Sequence, residues 1–380
     1  MYANVDMTII IKPTFNCNFR CSYCYLANEI KAVSSMMSYE LAEKIIAQII
    51  QLCQKKKHKN LTLIWHGGEP LLWGVNNFKR IFLFINQHCN GLKIKQRIQT
   101  NLSLIDDEYI RLFKEYNVRI GFSLDGPKSI NDTQRKLING KGTFDVIMKK
   151  VEDCRLAGLN IGCILVGSRN FMGKIPKVYD FLCANNLNFK FNPLFCAGEA
   201  VNAGTSIAIL PEEYAEMAIE LFDLWFDDKS HALKETTFID IASYFVSKTK
   251  RSQSCIFSSN CQDLFMAISP TGEVFPCGRF CETDTRYSYG NISTESVDTI
   301  LRNIQKSEIY ARNKCIDESS CSKCKYFQLC HGGCLHDGFL KNGDFKSKTF
   351  LCTAYKQIFN HIEQRVSPII GKNIKLIPPK

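Results

Sequence analysis

Cys17-Asn18-Phe19-Arg20-Cys21-Ser22-Tyr23-Cys24-Tyr25 is the stretch on which the reading of this chain turns. Three thiols lie within eight residues, spaced C-x3-C-x2-C, just past the apolar run from Thr8 to Ile11. Thiols this close can hold three corners of a cube-shaped iron–sulfur cluster. The fourth iron then lacks a protein ligand, and an open metal position is where a cofactor or substrate binds. The spacing alone has a chance origin of about 1 in 20 in a chain this rich in cysteine. Buried or zinc-binding cysteines are the alternative at this point.

Working outward, strand-like runs alternate with helix-like runs. The candidate strands are Thr8–Lys12, Leu61–Trp65, Lys93–Gln99, Val118–Ser123, Asn160–Val166 and Asn188–Pro193. They are short and rich in β-branched or aromatic residues. Between and after them lie amphipathic segments: Ser38–Gln54, Val75–His88, Asp106–Tyr116, Thr143–Ala157, Lys174–Ala184 and Pro211–Phe226. Ser38 suits an N-cap, and Pro211 with Glu212 and Glu213 suits a first helical turn. Six such repeats without a clean seventh and eighth predict an α/β fold, an open, partial (β/α)6 barrel of the TIM type. In such barrels chemistry sits on loops after the strands, where the triple-cysteine loop falls.

From about Thr249 the alternation stops. Ten of the nineteen cysteines fall between Cys255 and Cys352. Leu264–Ser269 and Glu273–Pro276 read as a hairpin around Pro270-Thr271-Gly272. Cys321-x2-Cys324-x5-Cys330-x3-Cys334 has a chance origin of about 1 in 400. Cys255-x5-Cys261, Gly272-x4-Cys277 and Cys352 complete eight thiols, enough for two fully ligated four-iron clusters; zinc is the alternative. The expected division is a barrel over 1–230, a connecting segment over 231–254, a cysteine-rich domain over 255–352 and a terminal helix and tail over 353–380. That cysteine-rich domain is expected to have a core too small to stand without metal.

Composition sets bounds. Hydrophobic residues make up 45% and charged residues 22%, the balance of a soluble globular protein. No apolar stretch is long enough to span a bilayer, and no secretory signal precedes Cys17, so a cytoplasmic protein is expected. In a reducing compartment nineteen cysteines point to metal rather than disulfides. The net charge of +11 is scattered apart from Lys55-Lys56-Lys57, which argues against nucleic acid as a partner.

With these motifs the chain resembles a radical S-adenosylmethionine (SAM) enzyme with a C-terminal SPASM domain. The resemblance runs from Cys17 to Cys352. It implies SAM and three [4Fe-4S] clusters as cofactors. Cys17, Cys21 and Cys24 would hold the radical-generating cluster. Cys255, Cys261, Cys277 and Cys334 would hold the first auxiliary cluster, and Cys321, Cys324, Cys330 and Cys352 the second. Eight cysteines then remain, among them Cys281 and Cys315, which lie near the clusters in sequence and stay open as alternative ligands or peptide contacts.

His66-Gly67-Gly68-Glu69-Pro70 resembles the family's GGEP motif. Gly67 and Gly68 would let the backbone approach the cofactor, and a carbonyl together with the Glu69 carboxylate would receive its ammonium. Asn101 would contact the cofactor or support its loop. Ser123 would bind the cofactor, Arg135 would pair with its carboxylate, Tyr23 would contact its adenine or the adjoining backbone, and Phe195 would add an apolar contact. The chemistry implied is removal of hydrogen from an unactivated carbon by a 5′-deoxyadenosyl radical.

SPASM enzymes commonly act on peptides or protein segments, and electrons would come from a flavodoxin- or ferredoxin-like donor. The chain is similar to anaerobic sulfatase-maturating enzymes, which make formylglycine from Cys or Ser. In these an aspartate directly after the third auxiliary-cluster cysteine acts as base; here that position is Gly278, with Asp263, Glu282 and Asp284 as substitutes to be tested. It is also similar to maturases of ribosomally made peptides that form cyclophane or thioether crosslinks. With sixteen residues before Cys17, leader binding is expected on the barrel or SPASM surface, or on a separate protein. A crosslinking maturase is the reading favoured by Gly278. A non-catalytic iron–sulfur carrier would leave Gly67–Pro70 and Arg135 without a task.

Replacing Cys17, Cys21 and Cys24 by Ala is expected to abolish 5′-deoxyadenosine formation from SAM. Iron analysis of the reconstituted chain is expected to give about twelve irons, four for each cluster. A value near eight would remove one of the three cluster assignments.

Overall fold

The computed structural model describes residues 7–26, 35–247, 255–259, 261–282 and 284–369. Eight strands form one sheet: β1 (Met7–Ile11), β2 (Asn60–Trp65), β3 (Lys93–Thr100), β4 (Arg119–Ser123), β5 (Ile161–Gly167), β6 (Phe189–Pro193), β7 (Phe265–Ile268) and β8 (Val274–Phe275). Their order is β6-β5-β4-β3-β2-β1-β7-β8. The first six run parallel in chain order, each paired to its predecessor. That is the open sheet expected of a partial barrel, and each expected strand lies within about two residues of an observed one.

The helices α1 (Tyr39–Lys55), α2 (Val75–His88), α3 (Asp107–Glu115), α4 (Phe144–Leu156), α5 (Ile175–Ala184) and α6 (Pro211–Asp227) fall where the sequence periodicity puts them. Local chemistry sets their starts. The Ser38 hydroxyl accepts the Leu41 N–H and opens α1. Asp106 accepts the N–H groups of Glu108 and Tyr109 at α3. Glu213 accepts the Leu210 N–H at 2.8 Å, and Pro211 occupies the first turn of α6.

The second unit is joined to the first by backbone. β7 pairs in parallel with β1, from Thr8 opposite Phe265 to Ile11 opposite Ile268, and β8 returns antiparallel to β7. The hairpin therefore extends the barrel sheet. The apolar core follows: residues of β1–β6, Met266, Ile268, Val274, Leu351 and the last helix belong to one buried cluster. The cysteine-rich segment thus draws on the barrel's core as well as on its own.

The range 231–254, read as a connector, carries helix α7 (Thr236–Ser247). Phe238, Ile241, Ala242 and Phe245 line its buried face at helical spacing. Buried Glu235 starts it by accepting the Phe238 N–H at 2.5 Å. Further on come α8 (Val297–Lys306), α9 (Leu335–Asn342) and α10 (Cys352–Val366). α10 packs along α6 and α7, so the chain's last long helix covers the barrel's flank. Among the described residues no helix is long and apolar enough to cross a membrane.

Ile362 is fully buried on the inner face of α10. Ile362→Ala is expected to cost about 2–5 kcal/mol, read by chemical denaturation. A loss below about 1 kcal/mol would mean that α10 does not hold the two units together.

Candidate functional site

β1 delivers the chain to the cysteine loop, and the turn after β2 is laced onto that loop by backbone. The Gly68 N–H donates to the Thr14 carbonyl at 3.1 Å and the Glu69 N–H to the Asn16 carbonyl at 2.8 Å. Space there admits no side chain. A Cβ on Gly67 would stand 2.2 Å from the Thr14 oxygen, and one on Gly68 would stand 2.2 Å from the Phe15 oxygen. Gly67 also has φ +127°, where L side chains are strained.

The three thiols of the loop come together half-buried. Burial pushes Cys17 up to about 12, aided by Glu69, Cys21 and Cys24. Burial and Cys21 push Cys24 up to about 11. Burial likewise raises Cys21, against Arg135. Such thiols bear charge only with a metal beside them.

Glu69 is fully buried. Its Oε1 accepts the Leu71 N–H at 3.0 Å and the Thr100 hydroxyl at 2.6 Å, and Oε2 accepts the Asn101 N–H at 2.7 Å. Burial pushes its carboxyl up to about 7 against these bonds. The carboxylate expected to receive the cofactor's ammonium also has an internal task. Its oxygens are committed to three internal donors, so it latches the end of β3 to the turn after β2. Asn101 supports the loop: its Nδ2 donates to Asn18 Oδ1 at 2.8 Å and lies 3.8 Å from Cys17 Sγ.

Across the barrel mouth, Tyr23, Asp125 and Arg135 form one buried network. The Tyr23 hydroxyl donates to Asp125 Oδ2 at 2.6 Å, and Arg135 Nη1 donates to the Tyr23 oxygen. Asp125 Oδ1 accepts the Val166 N–H at 3.0 Å, which ties β4 to β5. Arg135 Nε, Gln134 Nε2 and Ser22 Oγ are buried without a partner. Ser22 and Gln134 are backbone-bonded neighbours at 2.9 Å, and Arg135 follows Gln134. Orphaned donors grouped beside the cysteine loop suit an anionic ligand group. Ser123 Oγ accepts from Gln99 Nε2 at 3.2 Å. Phe195, after β6, lies 5.7 Å from the Tyr25 ring and 5.3 Å from the His336 ring. The Arg279 guanidinium sits 4.4 Å over Phe195.

The eight distal thiols lie in two neighbourhoods, whose membership is the one the resemblance implies. Burial, then Cys255 and Cys277, pushes Cys261 up to about 12, and Cys334 is raised by burial and by Cys255 and Cys277 among others. Cys330 is pushed up to about 12 by burial and then by Cys352, Cys321 and Cys324. Those last four thiols line one cavity of about 230 Å³. A single water-sized occupant takes about 30 Å³. All-sulfur donor sets suit zinc or a four-iron cluster.

Cys281 belongs to neither set. It is fully buried, and its carbonyl accepts from Lys12 Nζ at 2.6 Å.

A Cβ on Gly278 would meet Ile10 Cδ1 at 3.2 Å, an apolar neighbour. Asp284 is exposed and held low by Arg286, 2.6 Å away. Asp263 lines a separate surface cavity of about 400 Å³ with Tyr310, Asn313 and His331. Glu282 adjoins buried Cys281 and raises Lys12. Roles the sequence left unassigned belong to Lys12, Asp125, Arg279 and Asp337, whose signal is burial rather than pattern. Arg279 Nη1 donates to Asp337 Oδ1 at 2.5 Å and approaches Cys334 Sγ at 3.6 Å. Burial and Arg279 hold the neighbouring His336 down to about 3.

The family model of the radical SAM superfamily matches residues 11–182, and that of the iron–sulfur cluster-binding SPASM domain matches residues 260–325. A cysteine-type anaerobic sulfatase-maturating enzyme of Clostridium novyi is 27% identical over 368 residues, covering 93% of this chain and 94% of that protein. The solved structure of native anSMEcpe with bound AdoMet has a TM-score of 0.82 at 23% identity, covering 97% of this chain and 100% of that chain. Streptococcus suis SuiB bound to precursor peptide SuiA has a TM-score of 0.62 at 17% identity, covering 92% of this chain and 76% of that one. At these identities the structural likenesses speak for the fold.

Gly68→Ala is expected to weaken SAM binding at least tenfold by equilibrium dialysis, because its Cβ collides with the Phe15 and Asn16 carbonyls. Gly162→Ala, whose Cβ meets its neighbours at 3.4 Å or more, is expected to bind normally. Unchanged binding in Gly68→Ala would mean the turn does not shape the cofactor site.

Proposed function

We propose that this chain, which belongs to the radical SAM superfamily and carries a C-terminal SPASM domain, matures a peptide or protein substrate by removing hydrogen from a side-chain carbon. The favoured product is a crosslink within a ribosomally made peptide. Cys17, Cys21 and Cys24 would hold the radical-generating cluster. Cys255, Cys261, Cys277 and Cys334 would hold one auxiliary cluster, and Cys321, Cys324, Cys330 and Cys352 the other. A flavodoxin- or ferredoxin-like protein would supply electrons.

When bound, SAM and a reduced cluster supply a carbon radical strong enough to break an unactivated C–H bond. The protein's residues do the rest. Arg135 and the orphaned donors beside it receive the cofactor's carboxylate. The glycine turn offers carbonyls to its ammonium, with Glu69 holding the turn in place. Ser123 and Tyr23 orient the remainder, and Phe195 closes the apolar side. Two thiol quartets that are fully used on a cluster leave no iron for substrate, which favours electron transfer as their task.

Gly278 is the observation that carries the crosslinking reading. Formylglycine chemistry in the relatives the chain resembles uses a carboxylate at this position, and here the site faces Ile10. The second reading, formylglycine formation, is favoured by end-to-end similarity to a cysteine-type sulfatase-maturating enzyme. The SuiB complex adds that a protein of this fold engages a precursor peptide.

Reconstituted enzyme, SAM and reductant are to be incubated with a short peptide encoded beside the gene, and separately with a sulfatase-motif peptide. The expected product is the first peptide lighter by two hydrogens and unreactive toward hydrazide. A hydrazide-reactive aldehyde on the sulfatase peptide would replace this reading by formylglycine formation.

A further inference from the structure

Arg312 is buried at 4% exposure between the two thiol quartets. Burial works against its charge, and the thiols close enough to oppose that are Cys261 and Cys334 of one set and Cys321 and Cys330 of the other. Its place follows from the chain. Cys330-His331-Gly332-Gly333-Cys334 is the turn that joins the quartets, and Arg312 Nη2 donates to the Gly332 and Gly333 carbonyls at 3.4 and 3.1 Å. The same nitrogen donates to the Ser347 carbonyl at 3.4 Å. Nε is buried without a partner. Among the described residues no carboxylate forms an ion pair with it.

A buried cation without a counter-charge is costly, and neutral carbonyls compensate only in part. Arg279 makes the contrast: it lies beside the first quartet but is matched by Asp337 at 2.5 Å. Arg312 has no such match among the described residues, and the thiol quartets on either side would become negative once they hold metal.

The geometry points to Arg312 as the shared counter-cation of the two auxiliary clusters, raising the reduction potential of both. This rests on the cluster assignment proposed above. Adding an electron to a cluster adds one negative charge, and a fixed cation in a low-dielectric interior stabilises that form. Charge and hydrogen bonding around the sulfurs are the protein's means of setting such potentials. One cation between two clusters acts on both in the same direction. Arg279 with Asp337, by contrast, presents a nearly neutral pair to the first cluster.

The test is a potentiometric titration of the full reconstituted chain, followed by electron paramagnetic resonance and accompanied by iron analysis. Arg312→Gln and Arg312→Met remove the charge with different packing, so the question survives if one of them loads poorly. Each is expected to move both auxiliary waves to lower potential by at least a tenfold change in the one-electron equilibrium, about 59 mV. The wave of the cluster at Cys17, Cys21 and Cys24 is expected to stay put. Arg312→Lys keeps the charge and is expected to hold both waves near their native values even if the melting temperature falls. Loaded, uncharged variants with neither wave shifted, or with one wave alone shifted, overturn the assignment. A wild-type chain with only about four irons fails the cluster reading instead, before Arg312 is at issue.

Discussion

β1 is the constraint from which the rest of the structure follows. It is hydrogen-bonded in parallel on both edges, to β2 and to β7. A strand satisfied on both sides has no backbone freedom left, so the loop that leaves it starts from a fixed point. Lys12 fixes that point further. Its ammonium is fully buried, donates to the Cys281 carbonyl at 2.6 Å and lies 5.2 Å from the centre of the Tyr25 ring. Burial opposes its charge, but Tyr25, Cys281 and Glu282 more than offset that and keep it cationic. One side chain therefore pins the start of the cysteine loop, the end of that loop and the cysteine-rich unit to each other.

A second device repeats along the sheet. Backbone N–H groups in strands, turns and helix starts around the sheet lie where water is scarce. Three buried carboxylates take them up. Glu69 receives the Leu71 and Asn101 N–H groups, Asp125 the Val166 N–H, and Glu235 those of Phe191 and Phe238. Each ties one strand end to another segment and so sets the spacing of the loops that carry the chemistry. Burial raises all three carboxyls, Glu69 and Glu235 to about 7. Their strain against desolvation is the cost of a rigid mouth.

What the sequence made legible is the part governed by period and spacing. The six βα repeats and the helix starts at Ser38 and Asp106 followed from residue type and interval, and so did the presence of eight distal thiols; their sorting into two fours came from the family resemblance. What it hid is burial. Nothing in the order of letters distinguishes Lys12, Asp125, Arg279 or Arg312 from surface charges, since a polar residue reads as exposed until its neighbours are known. Glu69 was legible as a motif but not as a latch, because its donors come from β3, far along the chain. The Phe238, Ile241, Ala242 and Phe245 stripe was legible in principle. It lay in a stretch read for its boundary rather than for its period.

The missing carboxylate at Gly278 is best understood through what surrounds it. In a site that keeps a base, polar neighbours hold the carboxylate and tune it. Here the position faces Ile10, and the nearby cluster of Phe15, Phe280, Cys281 and Leu335 is apolar. The buried acid on the cysteine-rich side, Asp337, is paired with Arg279, and burial raises its carboxyl against that partner. The neighbouring His336 is kept neutral, wedged between Phe195 and Phe280. The change at 278 is thus matched by its neighbours rather than isolated. An apolar wall at this position suits a substrate presented by shape, with no proton taken up at residue 278. It suits poorly a substrate hydroxyl that must be deprotonated in place, which supports the proposed crosslinking, while the sequence similarity to sulfatase-maturating enzymes supports formylglycine formation.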